Sequence, residues 1–312
     1  MSKMMATRDG YGKALVELGK ENDNVVVLDA DLSKSTKTAG FGEIFPERFF
    51  NAGVAEQNLI GLAAGLSTTG KIPFASSFAM FATGRAFEII RNSIGYPQLN
   101  VKVCATHAGI TVGEDGASHQ ALEDIACMRT IPNMTVIVPS DGVEAMVAVK
   151  KIAEFQGPVY LRLGRLALPV INDGENYQFE IGKGITLKEG GDITIIATGL
   201  MVHEALKAAD SLLEKGVEAR VLNLHTIKPI DQDLIIKAAE ETGMIITAEE
   251  HNIIGGLGSA VAEVLSENIP VPLKRIGVED TFGESGKPAE LLEKYGLTHE
   301  KIFKCAIEML AR

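Results

Sequence analysis

Glu56 is followed by a run, Gln57 to Gly70, without a single charged side chain, in a chain of which 23% of residues are charged. Leu59, Leu62, Ala63 and Leu66 recur at i, i+3, i+4 and i+7, which predicts a helix with one apolar face. Ile60 and Ala64 widen that surface, so the helix is expected to be covered on most sides. It is too short to span a bilayer. A carboxylate in the first turn of such a helix has two readings. As a dipole-stabilised group it contributes only about 0.3–1 kcal/mol. As a group held for chemistry it answers to burial, which raises a carboxyl by roughly 3–5 pKa units when complete, at ~1.4 kcal/mol per unit. In a dry cleft burial wins, and Glu56 would hold or share a proton near neutrality.

Other residues of chemical type cluster elsewhere. His107, Asp115 and His119 have the spacing H-x7-D-x3-H, which is no established metal signature. Each also suits a turn or a helix start, and Ser118 is placed to cap a helix beginning near His119. A polar substrate cradle is the stronger reading, because Gly109, Gly113 and Gly116 allow backbone to approach a ligand closely. Arg8 and Arg165 are either solvated charges or bidentate phosphate binders. Phe78 and Phe81, three apart, suit the core or a ring-stacking wall. Gly255–Ser259 (GGLGS) opens a helix and could bind an anion, but it lacks the GxGxxG spacing of a dinucleotide site.

The elements that must position these residues read as an α/β pattern. Asn24–Asp29, Pro73–Ser77, Val101–Thr106, Met134–Val138 and Pro158–Leu163 are apolar runs of strand length. Helical patterns at Tyr11–Gly19, after Glu56, at 79–95, at 120–129 and after Asp141 alternate with them, which indicates a parallel sheet covered on both faces. Asp29, Asp31, Ser33, Ser35, His107 and Arg165 all follow strands, where doubly wound sheets collect their functional groups. A polar, glycine-bearing stretch at 172–184 is the expected linker. Beyond it, strands at Asp192–Thr198, Val217–Leu224, Met244–Thr247 and Val271–Ile276 alternate with helices at 202–215, 231–242, 257–267, 287–294 and 298–311. This is a second, smaller α/β domain.

At 312 residues, two domains are expected. The net charge of −11 argues against a nucleic-acid or membrane-surface role, so an anionic substrate would need local positive charge. Three cysteines without CxxC spacing suggest reduced thiols, and the amino terminus has no apolar signal region; a cytoplasmic protein is expected.

Four stretches in order, Met5-Ala-Thr-Arg8, Asp29-Ala-Asp-Leu-Ser-Lys-Ser35, Phe50-Asn-Ala-Gly-Val-Ala-Glu-Gln-Asn58 and Ala105 through Gln120 (ATHAGITVGEDGASHQ), followed by Gly164-Arg165 and Pro169, resemble the C-terminal half of a transketolase. The resemblance covers nearly the whole chain. It implies a pyrimidine-binding domain at 1–171, a linker at 172–184 and a transketolase C-terminal domain at 185–312. It implies transfer of a two-carbon ketol unit between sugar phosphates of the pentose phosphate pathway, with thiamine diphosphate and Mg2+ as cofactors. Glu56 matches the glutamate that hydrogen-bonds N1′ of the cofactor's aminopyrimidine, where proton sharing favours the tautomer that deprotonates the thiazolium. Phe78 and Phe81 match aromatics packing on that ring; a third aromatic is expected where Gly84 stands, a gap left to Phe87 or a partner side chain. Asp31 matches an acid on the thiazolium side. Arg8, Ser35, His107 and Arg165 match the phosphate-binding set, and Asp115 and His119 the groups on substrate hydroxyls, with His107 and His119 counted as catalytic beside Glu56. No metal ligand is expected here, because the GDG motif that holds diphosphate and metal does not occur in this sequence. The resemblance therefore implies a separate N-terminal partner bearing GDG, in a heterotetramer holding two copies of each chain. The rival readings are the β subunit of a 2-oxoacid dehydrogenase E1, a deoxyxylulose-phosphate-synthase-like enzyme (which would more typically carry Arg at position 107), and a non-catalytic binding subunit.

Overall fold

The computed structural model describes residues 3–172, 174 and 177–311. The first part opens with strand β1 (Met4–Ala6), helix α1 (Thr7–Glu21) and strand β2 (Val25–Asp29). Short helices α2 (Ser33–Thr36) and α3 (Ala39–Ile44) and strand β3 (Phe49–Asn51) lead into helix α4 (Glu56–Ser67) and strand β4 (Ile72–Phe78). Two wide turns, Phe81–Arg85 and Ile90–Gly95, flank the short helix α5 (Phe87–Ile89). Then come β5 (Lys102–Thr106), α6 (Asp124–Thr130), β6 (Thr135–Ile137), α7 (Gly142–Glu154), β7 (Val159–Arg162) and β8 (Ala167–Pro169). The second part contains β9 (Ile185–Lys188), β10 (Ile193–Ala197), α8 (Met201–Leu213), β11 (Ala219–Asn223), β12 (Thr226–Lys228) and α9 (Gln232–Thr242). It ends with β13 (Ile245–Asn252), α10 (Leu257–Glu267), β14 (Leu273–Val278), α11 (Pro288–Lys294) and α12 (His299–Leu310).

Strands β6-β7-β5-β4-β2-β3 lie side by side and parallel, so their carboxyl ends share one edge. Every residue of β2 (VVVLD) is buried, as a strand covered on both faces requires. Val25 and Val27 turn to one face and pack with Tyr11, Leu15 and Val149 of α1 and α7. Val26 and Leu28 turn to the other and pack with Leu59, Ile60 and Ala63 of α4. Helices α1 and α7 cross closely at two glycines: a Cβ on Gly10 would lie 2.1 Å from the carbonyl oxygen of Gly142. The second sheet has the order β14-β13-β10-β11-β9, with only β9 antiparallel.

Several local expectations are corrected. Helix α4 is not covered on most sides: Gln57, Asn58, Gly61 and Gly65 are exposed and Leu62 is 44% exposed, so one face of the helix is open. The helix expected at 120–129 begins only at Asp124, because residues 116–123 are taken up by turns on the glycine-rich loop. Ser118 caps nothing there; its hydroxyl pairs with His119 Nδ1 at 3.0 Å. The expected linker is strapped down where it is described. Asp141 Oδ2 accepts the backbone N–H groups of Ile171 and Asn172 (2.8 and 2.9 Å), and Tyr177 donates to Glu144 Oε1. Its members 173, 175 and 176 lie outside the described residues. The first sheet also takes a strand from the second part of the chain. β12, from the second part of the chain, pairs antiparallel with β6 and closes the edge of the first sheet as its seventh strand.

Candidate active site

The carboxyl ends of β2, β4, β5 and β7 bring the site residues to one edge of the first sheet. Strand β4 ends in Ser77 and Phe78, which by strand alternation face opposite sides. Ser77 Oγ donates to Glu56 Oε1 at 3.4 Å, and Glu56 is 1% exposed at the first turn of α4. On the mouth side, Arg85 Nη1 donates to Glu56 Oε2 at 2.9 Å, and its guanidinium lies 5.3 Å from the centre of the Phe81 ring. Phe81 and Phe78 stack with ring centres 6.2 Å apart, and Phe78 stacks in turn on His107 at 3.9 Å. The two phenylalanines thus stand between a carboxylate subsite and an imidazole subsite.

His107 follows β5 in a left-handed conformation, φ +57°. Its Nε2 lies 3.0 Å from Arg8 Nη1, and its Nδ1 lies 2.8 Å from Thr106 Oγ1. A guanidinium only donates, so Nε2 is the acceptor and the neutral ring carries its proton on Nδ1. Burial first, then the charges of Arg8, Arg165, His119 and Lys37, push the imidazole down to about 3, which keeps the ring neutral. Arg8 also donates to the carbonyl of Ser35 at 3.1 Å, while its Nε is buried without a partner. Arg165 Nη1 donates to the carbonyl of Val112 at 2.9 Å and faces Asp115 at 3.4 Å. Burial and Arg165 both lower the guanidinium of Arg8. Cations gathered around a neutral imidazole, one with an unsatisfied N–H, form a receptor for an anion.

The remaining expected residues take more varied places. His119 meets Phe81 edge-on at 5.2 Å, beside the aromatic pair. Ser35 contributes its carbonyl to Arg8. Asp31, exposed and at φ +64°, bonds to Asn51 Nδ2 at 2.9 Å rather than to the cationic group. Asp29 is an organiser: its buried carboxylate accepts from Leu32 N–H (2.6 Å), Thr36 Oγ1 (2.6 Å) and Thr38 Oγ1 (2.9 Å), which folds the loop presenting Ser35. His107, Asp115 and His119 do not form a metal centre; among the described residues no group of three or more His, Cys, Asp or Glu side chains could hold a metal ion. The helix start at Gly255–Ser259 does not await an anion either. Glu249 fills it, accepting from the N–H groups of Leu257 (2.7 Å) and Gly258 (2.8 Å).

Arg85, Lys37, Ser77 and Glu250 were not foreseen. Three consecutive ionisable residues, Glu249-Glu250-His251, directly after an apolar strand pattern were the available signal for Glu250. Arg85 follows Gly84, the position where an aromatic was missing, and its guanidinium covers the open face of Phe81.

Fold and edge cluster define a two-domain α/β chain with a buried carboxylate and an anion receptor at the carboxyl ends of a parallel sheet. The family model described as the transketolase pyrimidine-binding domain matches residues 3–170, and that of the transketolase C-terminal domain matches residues 182–302. The chain belongs to the transketolase family, which depends on thiamine diphosphate. A relative from Methanocaldococcus jannaschii, provisionally named a transketolase C-terminal section, is 58% identical over 307 residues, covering 98% of this chain and 96% of its own. A 6-deoxy-6-sulfo-D-fructose transketolase subunit from a Clostridium species is 46% identical over 306 residues, covering 98% of this chain and 94% of its own. A chain solved as a split-gene transketolase in an inactive beta4 tetramer superposes with a TM-score of 0.92 at 59% identity, covering 98% of this chain and 99% of that one. One of these relatives is named as a subunit and the solved chain as the product of a split gene.

Proposed function

We propose that this chain supplies the aminopyrimidine-binding and substrate-binding half of a thiamine-diphosphate-dependent transketolase that moves a two-carbon ketol unit between sugar phosphates. In this reading it acts only with a separate N-terminal chain whose GDG motif holds the diphosphate and Mg2+. The observation that carries it is the stacked pair Phe78 and Phe81 standing between buried Glu56 and the Arg8–His107–Arg165 receptor.

The residues present fit the aminopyrimidine end of the cofactor. Glu56 is a buried carboxylate with one oxygen near Ser77 and the other held only by the half-exposed Arg85, a side chain free to swing aside. Once vacated, Oε2 would hold or share a proton with a ring nitrogen. Phe78 and Phe81 offer the aromatic surface against which a flat ring packs. When bound, thiamine diphosphate supplies an electron sink for the cleaved carbon–carbon bond. The chain's own part is then to move the proton at Glu56 and to fix the sugar. Arg8 and Arg165 would take its anionic end; His107 would join that set through Nε2 only by releasing Arg8 and carrying the ring proton on that nitrogen; Asp115 and His119 would contact hydroxyls, with Asp31 nearer the thiazolium.

Relatives are named for different sugars, 6-deoxy-6-sulfo-D-fructose and apulose 4-phosphate; the cationic receptor suits a phosphate or a sulfonate alike. The beta4 assembly named for a relative supports self-association; the complete enzyme in this reading holds two copies of this chain and two of the N-terminal partner. No disulfide joins the cysteines, which suits a reducing compartment such as the cytoplasm. No described helix is long and apolar enough to cross a membrane.

The test is reconstitution. The chain alone, given thiamine diphosphate and Mg2+, should not transfer the ketol unit from xylulose 5-phosphate to ribose 5-phosphate; adding a GDG-bearing N-terminal chain should establish transfer. Full activity of the isolated chain, or none with the partner present, would overturn the reading.

A further inference from the structure

Just before its last residue, strand β13 carries Glu249, Glu250 and His251, all buried where the two sheets meet. Alternation sends the first two carboxylates in opposite directions. Glu249 turns into its own domain and holds the start of α10. Glu250 turns toward the first domain: its Oε1 accepts the N–H of Thr111 at 2.7 Å, and its backbone carbonyl accepts from Arg162 Nη2 at 2.9 Å.

Thr111 lies in the segment Ile110–Asp115, which supplies both groups that hold Arg165, the Val112 carbonyl and Asp115. The segment is seated directly on the Glu250 carboxyl: a Cβ on Gly109 would lie 2.2 Å from its carbon, and Gly109 has φ +85°. The second domain supports the segment again through Gln120, whose Nε2 donates to the carbonyls of Ile110 (3.1 Å) and Glu284 (2.9 Å). Glu250 is a costly choice for this seat, since burying a carboxylate without a paired cation is unfavourable. The charged groups facing it are Arg162 and Asp124, and Arg162 Nε is committed to Asp124 Oδ2 at 2.7 Å. A small cavity of about 20 Å³, lined in part by Thr7, Thr111, Arg162, Gly164 and Glu250, adjoins the seat.

We propose that Glu250 is a positioning residue for substrate binding: its carboxylate fixes the Ile110–Asp115 segment so that Arg165 is held toward the anionic end of the sugar. The second domain thereby sets the geometry of an anion receptor carried by the first. This rests on the phosphate role given to Arg165 above, so two separate measurements are needed.

The first uses the chain alone and needs no activity. In Glu250→Ala the Thr111 N–H loses a charged acceptor, and amide hydrogen exchange across 110–115 should accelerate by ~10-fold or more. Unchanged exchange there would overturn the proposal. Glu250→Gln keeps an acceptor oxygen and should fold; its exchange should stay within about threefold of wild type. Burial raises the Glu250 carboxyl to about 7 against the opposing charge of Arg162. Intrinsic-rate-corrected protection of the segment in the wild type should therefore change around neutral pH and stay flat in Glu250→Gln. Equal profiles in the two would also overturn it. The second measurement uses the reconstituted enzyme: Glu250→Ala should raise KM for a phosphorylated sugar ~10-fold with kcat changed less than about twofold, and Glu250→Gln should restore most of it. A loss confined to kcat would overturn the positioning role. A wild-type complex without transferase activity would instead remove the functional reading and leave the exchange result to decide the loop.

Discussion

Two buried carboxylates, Glu56 and Glu250, are held by different chemistry, and the difference predicts how each responds to substitution. Glu56 meets a guanidinium at 2.9 Å from a side chain half open to solvent. Glu56→Gln retains the shape but removes the proton-sharing oxygen, so turnover of the reconstituted enzyme should fall by at least ~100-fold with assembly unchanged. A rate near wild type would take Glu56 out of the mechanism. Arg85 occupies both the free oxygen of Glu56 and the face of Phe81. Arg85→Ala should therefore tighten binding of the cofactor's isolated aminopyrimidine to the chain, read by line shifts or calorimetry; weaker binding would mean that the guanidinium supports the ring. At Glu250 the carboxyl is raised from 4.5 to about 7. A group raised on folding contributes stability fully below its unfolded value and loses it as pH rises through its folded value, here between about 4.5 and 7. Glu250→Gln lacks that loss. Its stability relative to wild type, from urea unfolding, should gain up to ~3 kcal/mol between pH 4.5 and 8. The sequence revealed Glu56 through the uncharged run behind it and the receptor through motif order. It did not reveal Arg85 or Glu250, whose partners lie 29 and 139 positions away.

At the scale of elements, what was legible was whatever a local period could announce. Strand β2 and helices α1, α4, α8 and α10 follow from apolar spacing. The departures all have tertiary causes. Helix α6 starts late because the preceding residues are spent on turns. The stretch 81–95 is helical but widened into the turns beside α5. Strand β12 has three residues and becomes a strand only by pairing with β6, which no window of its own sequence encodes. Ile227, 1% exposed at its centre, packs in a core cluster that also holds Val136, Leu222 and Leu224. Ile227→Ala should cost about 2–4 kcal/mol and leave a single unfolding transition, since it weakens the seam shared by both sheets. Calorimetry showing two separated transitions in the wild type would deny that seam its cooperative role.

The whole molecule presents one helix that composition alone made look internal. The open face of α4 carries Gln57, Asn58, Gly61, Leu62 and Gly65 beside the Glu56 subsite. A Cβ at Gly61 meets nothing within 4 Å, so a large side chain there does not disturb the chain itself. Gly61→Arg should retain the circular dichroism and melting of wild type but fail to co-elute with the N-terminal partner proposed above. Normal co-elution would place the partner on another face.

The borrowed strand β12 also governs how such a chain can be made. As the amino terminus leaves the ribosome, residues through Arg162 can pair six parallel strands, yet the β6 edge stays bare until Thr226–Lys228 has been synthesised. During that interval the nascent sheet offers an unpaired strand edge to any neighbour, the condition that favours misassociation. A fragment stopped near residue 171 would never leave that state. The pyrimidine-binding half thus receives the seventh strand of its sheet only after the second half has begun to be made.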